Sequence, residues 1–384
     1  MNFELITDPQ RLLALGWDAF VRSHPQGTVF QSPDMFELFS RTAKMTPVVI
    51  GVAEKGSGAL RGILQGVVIR EIKGPAGYFS SRTVIYGGPL VEAARQGDGE
   101  TGREGEVREI VGMLLRALIV VVKNRSIFIQ FRNFTSQEDH REVFGENGFK
   151  YRDRLNLLVD TSSFETVIQN MSGSRWRQIR KGLGQLDSWT VGQLDNRHPE
   201  RNGRHPERSE GTPGHPAEII EPQNLQQVRE FFNLLSDLYR YKVKKPLPEW
   251  DFFERFYNQS KEGKVGIIRL VKYRGKIIGG ILSPVTPGKT IYEWYVCGLD
   301  HEYKEVYPSV LATWAAIDYA LKNGIPQFDF MGVGIPEREY GVREFKSRFG
   351  GEMVNYGRFA RINNKAVYMI SEIGFNILAL LKKI

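Results

Sequence analysis

The order in which strand and helix patterns follow one another is the feature that most restricts how this chain can fold. Each half carries three β-branched segments, then an amphipathic helical stretch, then one more strand pattern. In the first half these segments are residues 47–55, 60–72, 82–91, 105–123 and 127–133. In the second half they are residues 264–273, 276–285, 290–299, 308–324 and 326–332. The repeated order predicts a duplicated α/β (α+β) domain, with each mixed, twisted sheet flanked by helices.

The two halves meet near a charged strand pattern at residues 151–160, which is followed by one helical segment at 162–183. We therefore predict a first domain at 1–155, a second at 156–350, and a C-terminal strand and helix at 351–384 that pack back on the domains.

A low-complexity segment at 195–218 interrupts the second half. It repeats Arg-His-Pro-Glu-Arg and holds His198, His205 and His215, half of the six histidines of the chain. Imidazole groups can bind zinc or nickel, but the surrounding Pro and Gly residues provide no element that would fix three rings in one geometry. The composition favours a surface loop without a metal.

Composition limits the partners. The 384 residues carry a net charge of +8 and a sequence pI of about 9.3, which favours contact with RNA, a diphosphate-linked substrate or a membrane surface. The single cysteine, Cys297, excludes an intramolecular disulfide framework and is predicted to lie in the core. With no leader pattern and no apolar run of about 20 residues, we expect a cytoplasmic protein that could contact the inner membrane face peripherally.

Residues 172–185 concentrate basic side chains around Trp176. On a helix, Arg177, Arg180 and Lys181 would share one face, because residues three and four apart are neighbours. This face could bind phosphates, or it could be a solvated face with Trp176 in the core. The predicted donor- or phosphate-binding residues are Arg175, Arg177, Arg180, Lys181 and Arg348.

An aromatic strand pattern at 290–299 precedes a second cluster of charged residues. In a strand, Tyr292 and Trp294 point to one side while Glu293 and Tyr295 point to the other, so one side could face a cleft.

Farther on, Asp329 ends a predicted strand, and a glycine-rich loop and short helix follow it. Strand ends and the loops that follow them are where sites usually form in layered proteins. Lys346, in this helix, is either a solvated charge at a helix end or a charge beside an apolar wall, where it would act more strongly.

These motifs together resemble the Fem family of aminoacyl- and peptidyl-transferases, which build peptidoglycan interpeptide bridges on a duplicated acetyltransferase-like (GNAT) fold. The resemblance runs through most of the chain, and F-K-x-x-F-G at 345–350 is its most specific motif. A lysine that some relatives carry near Phe39 and Ser40 is missing, and no coiled-coil arm interrupts the second domain, as in the compact FemX-like plan. The other matching motifs are residues 29–39, 175–185, 277–285, 291–298, 307–324 and 328–334.

The resemblance implies that Lys346 lies at the acyl-transfer centre and neutralises negative charge on the tetrahedral intermediate or on the leaving ribose oxygen. Asp329 is a second catalytic candidate, as the base; alternatively, it orients its loop through backbone hydrogen bonds. The expected substrate-binding residues are Tyr295, Trp294, Phe345, Arg240, Lys242, Arg343 and Tyr340.

The expected function is that of an aminoacyltransferase. It would move an amino acid from aminoacyl-tRNA to the stem-peptide amine of a lipid- or nucleotide-linked peptidoglycan precursor, in cell-wall biogenesis. An ester is already activated, so we expect no metal and no other cofactor. Two alternatives stay open: an acyl-CoA-dependent N-acyltransferase acting on a saccharide or polysaccharide precursor, and a non-catalytic scaffold that binds the precursor.

Overall fold

The computed structural model describes residues 2–72, 74–92, 100–184, 215–338 and 340–371. The strands in these ranges are β1 (Phe3–Ile6), β2 (Met45–Glu54), β3 (Leu60–Arg70), β4 (Ser81–Tyr86), β5 (Leu90–Val91), β6 (Phe128–Arg132), β7 (Lys150–Arg152), β8 (Leu155–Asp160), β9 (Glu218–Ile220), β10 (Gly266–Tyr273), β11 (Lys276–Thr286), β12 (Thr290–Tyr292), β13 (Tyr295–Gly298), β14 (Gln327–Asp329), β15 (Glu352–Asn355) and β16 (Arg358–Ile362). The α-helices are α1 (Pro9–Ala14), α2 (Trp17–Ser23), α3 (Pro33–Ser40), α4 (Glu100–Val122), α5 (Arg141–Glu146), α6 (Phe164–Asn170), α7 (Gly173–Gly182), α8 (Leu225–Leu238), α9 (Trp250–Lys261), α10 (Pro308–Lys322) and α11 (Gly341–Ser347). The predicted insertion at 195–218 lies mostly outside the described residues.

The strands form two mixed sheets of similar construction. The first sheet has the order β1-β2-β3-β4-β6-β16-β7, with β5 paired to β3, and the second has the order β15-β8-β14-β12-β11-β10-β9, with β13 paired to β11. In the first sheet β4 and β6 are parallel and are connected through α4; in the second, β12 and β14 are parallel and are connected through α10. A parallel pair needs such a crossover connection, and its occurrence in both sheets confirms the predicted α/β fold built from two similar units.

Three elements that were predicted to be continuous are each interrupted in the structure. The strand predicted at 151–160 is two strands, because β7 joins the first sheet and β8 joins the second. The helical segment at 162–183 is two helices. Ser172 lies between α6 and α7, and its side chain caps α7 by accepting a hydrogen bond from Arg175 N. The aromatic strand at 290–299 is interrupted, and Glu293 and Trp294 lie between β12 and β13.

The C-terminal part crosses between the sheets. Strand β15 pairs with β8 in the second sheet, and β16 inserts between β6 and β7 in the first. A sequence pattern cannot reveal this insertion, because it joins strands that are more than two hundred residues apart. Most of the C-terminal helix predicted within 351–384 falls on residues 372–384, which lie outside the described residues.

An aromatic core joins the two halves. The ring of Phe30, which precedes α3, lies 5.2 Å from the ring of Tyr292 and 5.1 Å from that of Trp294. Phe30 is buried, and a fully buried ring of this size contributes about 2 kcal/mol to stability. Because the first half packs directly on the segment between β12 and β13, the surroundings of Glu293 are built by both halves. Across the described ranges, no helix is both long and apolar enough to cross a membrane.

Candidate active site

Lys346 lies on α11, and its amino group points into the protein. The residue is only 9% exposed, and its Nζ lies 2.9 Å from Glu293 Oε1 and donates to Phe330 O, also at 2.9 Å. Gly350 and Gly351 end the helical region with φ angles of +86° and +102°, which favour glycine. Of the two interpretations of the motif, the structure therefore supports a buried charge beside an apolar wall.

Glu293 owes its position to the interruption between β12 and β13. Its backbone N–H donates to Asp329 O, and its side chain accepts a hydrogen bond of 3.1 Å from Thr313 Oγ1 on α10. It is 6% exposed, so the pair with Lys346 is removed from water. Removing one partner of such a buried ion pair strongly destabilises a protein, because the other charge is left buried and uncompensated. Sequence reasoning noted Glu293 but did not pair it with Lys346, although a carboxylate inside an apolar aromatic pattern was a usable signal.

A cavity of about 240 Å³ opens next to this pair. Lys346 and Glu293 line it together with polar and aromatic residues from several elements of both sheets. The residues that matter most for its chemistry are Arg132, Asn156, Lys245, Trp294, Met331 and Arg358. The cavity is therefore cationic, with an aromatic wall and one carboxylate. Four of these residues, Arg132, Asn156, Lys245 and Arg358, were missed by the sequence analysis, because they lie far from one another along the chain.

Asp329 lies behind the cavity wall. Its Oδ1 accepts a hydrogen bond of 2.5 Å from Met331 N, and Asn156 Nδ2 lies 3.3 Å from its Oδ2. Met331 has φ +60°, a conformation that costs energy for a side chain other than glycine and is held by this hydrogen bond. Burial raises the pKa of Asp329 to about 7, although the Met331 N–H, Asn156 and Lys346 act in the opposite direction. Asp329 thus fixes the turn that presents the Phe330 carbonyl to Lys346, while the cavity is lined by Asn156 in front of it.

The predicted aromatic residues form one wall and the packing behind it. Trp294 lines the cavity, and Tyr295 stacks on it with ring centroids 5.4 Å apart. The Tyr295 ring also lies 6.2 Å from that of Tyr239, and burial next to Tyr86 and Tyr239 raises the pKa of Tyr295. The two aromatic residues are therefore together at the site.

The other predicted substrate residues are spread around the cavity. Arg343 donates to the carbonyl oxygens of Val333 and Ile335, so it supports the glycine-rich loop. Tyr340 is exposed beside that loop, and Phe345 lines a separate cavity of about 440 Å³.

Arg240 and Lys242 are exposed in a π-helical turn, Tyr239–Val243. The neighbouring Lys245 is the basic residue of this segment that lines the cavity. The substrate contact was predicted for Arg240 or Lys242, but the basic residue of this segment at the cavity is Lys245.

Only part of the predicted phosphate-binding set comes together, since Arg175 and Arg348 line the same cavity of about 440 Å³ as Phe345. Arg175 is buried at 3% exposure, donates to Phe345 O and lies over the rings of Phe345 and Phe349. Burial lowers its pKa to about 10. These contacts hold α11 in place, and the phosphate contact predicted for Arg175 stays a prediction.

The remaining members of that set are closer to solvent. Arg177 is exposed, Arg180 lies 6.0 Å from the Trp176 ring, and Lys181 forms an ion pair with Glu305. Arg348 pairs with Glu344 at 2.6 Å on the surface of α11. Within the described ranges, no group of three or more His, Cys, Asp or Glu residues could hold a metal ion.

The two similar sheets and their crossovers define a duplicated GNAT-like fold, and solved structures agree. The chain is similar to FemX, with 15% identity and a TM-score of 0.64 over 96% of this chain and 99% of that one. It is also similar to a tandem GNAT protein from the clavulanic acid biosynthesis pathway, with 10% identity and a TM-score of 0.50 over 94% and 99% of the two chains. At these identities the likeness concerns the fold.

Comparison of sequences points to one family among the proteins with this fold. Residues 274–373 match the model of the FemAB family. Aminoacyltransferase FemA of Staphylococcus aureus is 30% identical over 89 residues, which is 22% of this chain and 21% of FemA, so the match spans about a fifth of that relative. The resemblance to the Fem family is confirmed for this segment, which contains Glu293, Trp294, Asp329, Lys346 and Arg358.

Proposed function

We propose that this protein transfers an aminoacyl group from aminoacyl-tRNA to the amine of a peptidoglycan-precursor stem peptide. The observation that carries the proposal is the buried Lys346–Glu293 pair. Both residues belong to the segment that matches the FemAB family, and together they line a cationic cavity. FemA, which is similar to this chain over 89 residues, is an aminoacyltransferase by name.

The chemistry needs positioning and charge stabilisation. The neutral amine attacks the ester carbonyl, a C–N bond forms, and the C–O bond to the ribose breaks. The proton lost by the amine ends on the ribose oxygen. Lys346 has three N–H donors, of which two are used by Glu293 and the Phe330 carbonyl, so one is left for the developing oxyanion. Because the site is buried, this charge acts more strongly than it would in water.

Asp329 has a positioning role in this proposal. Its carboxyl group holds the Met331 turn and accepts from Asn156, and Asp329 is not among the residues that line the cavity. Of the two roles considered for Asp329, the geometry supports the loop-orienting one, while the catalytic role stays a prediction. Glu293 is the carboxylate that lines the cavity, and its ion pair orients the amino group of Lys346.

The acceptor is expected to lie along the aromatic wall. Trp294 supplies a flat apolar surface at the cavity, and Lys245 adds a cation at its edge. Such a surface suits a peptide with a carboxylate or a phosphate nearby. The proposal requires no metal or organic cofactor, since the ester supplies the activation.

The experiment that tests the function measures the product directly. Purified protein is incubated with a stem-peptide precursor and either a mixture of charged tRNAs or acyl-CoA, and the precursor is analysed by mass spectrometry. The proposal predicts a mass increase of one amino-acid residue with the charged tRNAs only. Acyl addition from acyl-CoA would support the alternative enzyme, and binding of the precursor without any addition would support the scaffold. A Lys322→Met variant serves as a control, because this lysine is exposed on α10 and pairs with Asp318.

A further inference from the structure

Arginines form a row across three neighbouring strands of the first sheet. The register of β16 with β7 places Arg358 opposite Arg152. The register of β16 with β6 pairs Ala360 with Gln130, and continuing it by two residues places Arg358 opposite Arg132. Directly opposed side chains lie on the same face of a sheet, about 5 Å apart at their Cβ atoms. Like charges in this arrangement are destabilising, so the row is not explained by folding.

The row lies on the face of the first sheet opposite to the face that packs against α5. Phe359, the next residue along β16, stacks on Phe144 at 4.0 Å and contacts Tyr151 at 5.4 Å. Because side chains alternate along a strand, Arg358 and Arg132 point to the opposite face. Both line the cavity that contains Lys346.

A further arginine, Arg154, lies beside the row. Its carbonyl accepts a hydrogen bond from Gly357 N, which places it next to Arg358. Burial and the nearby Arg132 lower the pKa of Arg154, and burial followed by Arg132 and Arg154 lowers the pKa of Arg358 to about 9. Repulsion among these cations thus acts in the same direction as burial on both pKa values.

Compensating carboxylates are missing in the described part of the chain. There, no Asp or Glu oxygen lies within 4.0 Å of the guanidinium nitrogens of Arg132, Arg154 or Arg358. The hydrogen bonds of the Arg132 side chain go to neutral groups, Gln130 Oε1 and Tyr86 Oη, at 3.4 Å each. A partly buried group of cations without a counter-charge is suited to an anionic ligand.

We propose that Arg132 and Arg358, which both line the cavity, bind phosphodiester groups at the 3′ end of the RNA that carries the acyl group. This inference rests on the proposed function and adds a second part to the site. The reacting ester is attached to the ribose of the last nucleotide, and the nearest phosphate is attached to that same ribose. In the precursor, a sugar and several amino acids separate the diphosphate from the reacting amine. Cations that share a cavity wall with Lys346 therefore fit the phosphates of the donor.

Direct binding of RNA tests this inference. The full chain is titrated with an uncharged RNA minihelix that ends in single-stranded CCA, and fluorescence anisotropy is read at several salt concentrations. Arg358→Gln and Arg132→Gln are each expected to weaken binding about tenfold, because a hydrogen bond to a charged group is lost. Each is also expected to lower the slope of log affinity against log salt by about one.

Arg361→Gln is the matched control. Arg361 lies on the same strand as Arg358 but on the opposite face, where it donates to Asn363 Oδ1. Its replacement removes the same charge from the protein and should leave RNA binding within about twofold, since general charge effects are small at physiological salt.

Two outcomes would overturn the inference. One is RNA binding by Arg358→Gln that equals that of the control. The other is unchanged RNA binding by Arg358→Gln and Arg132→Gln together with weaker binding of inorganic pyrophosphate, which would assign these two arginines to the acceptor diphosphate. Because the binding assay needs no transfer, a protein that binds the minihelix through the row but transfers nothing would contradict the proposed function and leave the RNA site standing.

Discussion

The Nζ atom of Lys346 lies 2.9 Å from Glu293 Oε1, and the two side chains are 11% and 3% exposed. This pair joins α11 to the interruption between β12 and β13, and Thr313 on α10 holds its carboxylate from behind. The pair therefore connects three elements at the cavity, and both its stability and its chemistry can be tested separately.

A double-mutant cycle measures the coupling within the pair. Lys346→Met leaves Glu293 as an uncompensated buried carboxylate and is expected to lower the free energy of unfolding by about 3 kcal/mol. Adding Glu293→Gln should recover part of this loss, because the remaining charge is removed. Urea denaturation of the two single variants and the double variant provides the measurement. Strictly additive losses would mean that the pair is not energetically coupled.

Asp329 makes stability depend on pH. Its folded-state pKa is raised to about 7 from the ordinary value of 3.8, so between these values the folded protein binds more protons than the unfolded chain. Its contribution to stability therefore falls as pH rises from about 4 to about 7. Asp329→Asn should remove this decline, so the wild type loses stability relative to the variant by up to about 1 kcal/mol per pH unit. Parallel denaturation curves at pH 5, 6, 7 and 8 would show it, and a constant difference between the two proteins would contradict the raised pKa.

Gly350 is expected to be required for the placement of α11. Its φ is +86°, and a Cβ at this position would meet Asn170 O at 2.6 Å. Gly350→Ala should cost about 2 kcal/mol through backbone strain and this clash. Gly341→Ala, at the start of the same helix, has open space around its Cβ and should be nearly neutral. Thermal unfolding of both variants compares them, and an equal effect would show that the turn after α11 is not restrictive.

The arginine row should reduce the stability of the ligand-free protein. Arg358→Gln relieves repulsion from Arg132 and Arg152 and is expected to raise the free energy of unfolding by about 0.5 kcal/mol. Arg361→Gln, which breaks a hydrogen bond to Asn363, should not raise it. The measurement is equilibrium denaturation without nucleic acid. A clear loss of stability in Arg358→Gln would indicate that this arginine has a structural role.

The sequence predicted what depends on local pattern. The repeated order of strands, helix and strand was enough to predict two similar sheets, and the F-K-x-x-F-G motif led to Lys346. Glu293 was visible as a carboxylate in an aromatic segment, but its partner depends on how α11 packs against the segments that follow β12 and β14. The sequence also suggested a phosphate contact for Arg175, whose side chain is buried against α11. A basic residue that packs against a neighbouring helix cannot be told in sequence from one that faces solvent.

The arginine row could not be predicted from sequence. Arg132 and Arg358 become neighbours only because β16 inserts between β6 and β7, and nothing near either residue indicates this pairing. Lys245 likewise reaches the cavity from a basic segment whose members differ little in sequence. Non-local pairing therefore supplies much of the positive charge of the candidate site.

The most direct test of the central claim is a single-turnover measurement with Lys346→Met. With charged tRNA and precursor at saturating concentrations, the rate of aminoacyl transfer should fall by about 100-fold or more, because the charge that stabilises the oxyanion is gone. Binding of the precursor, measured by calorimetry on the same folded variant, should stay within about threefold of wild type. A transfer rate equal to that of the Lys322→Met control would contradict the role given to Lys346 and, with it, the placement of the transfer centre at the Lys346–Glu293 pair.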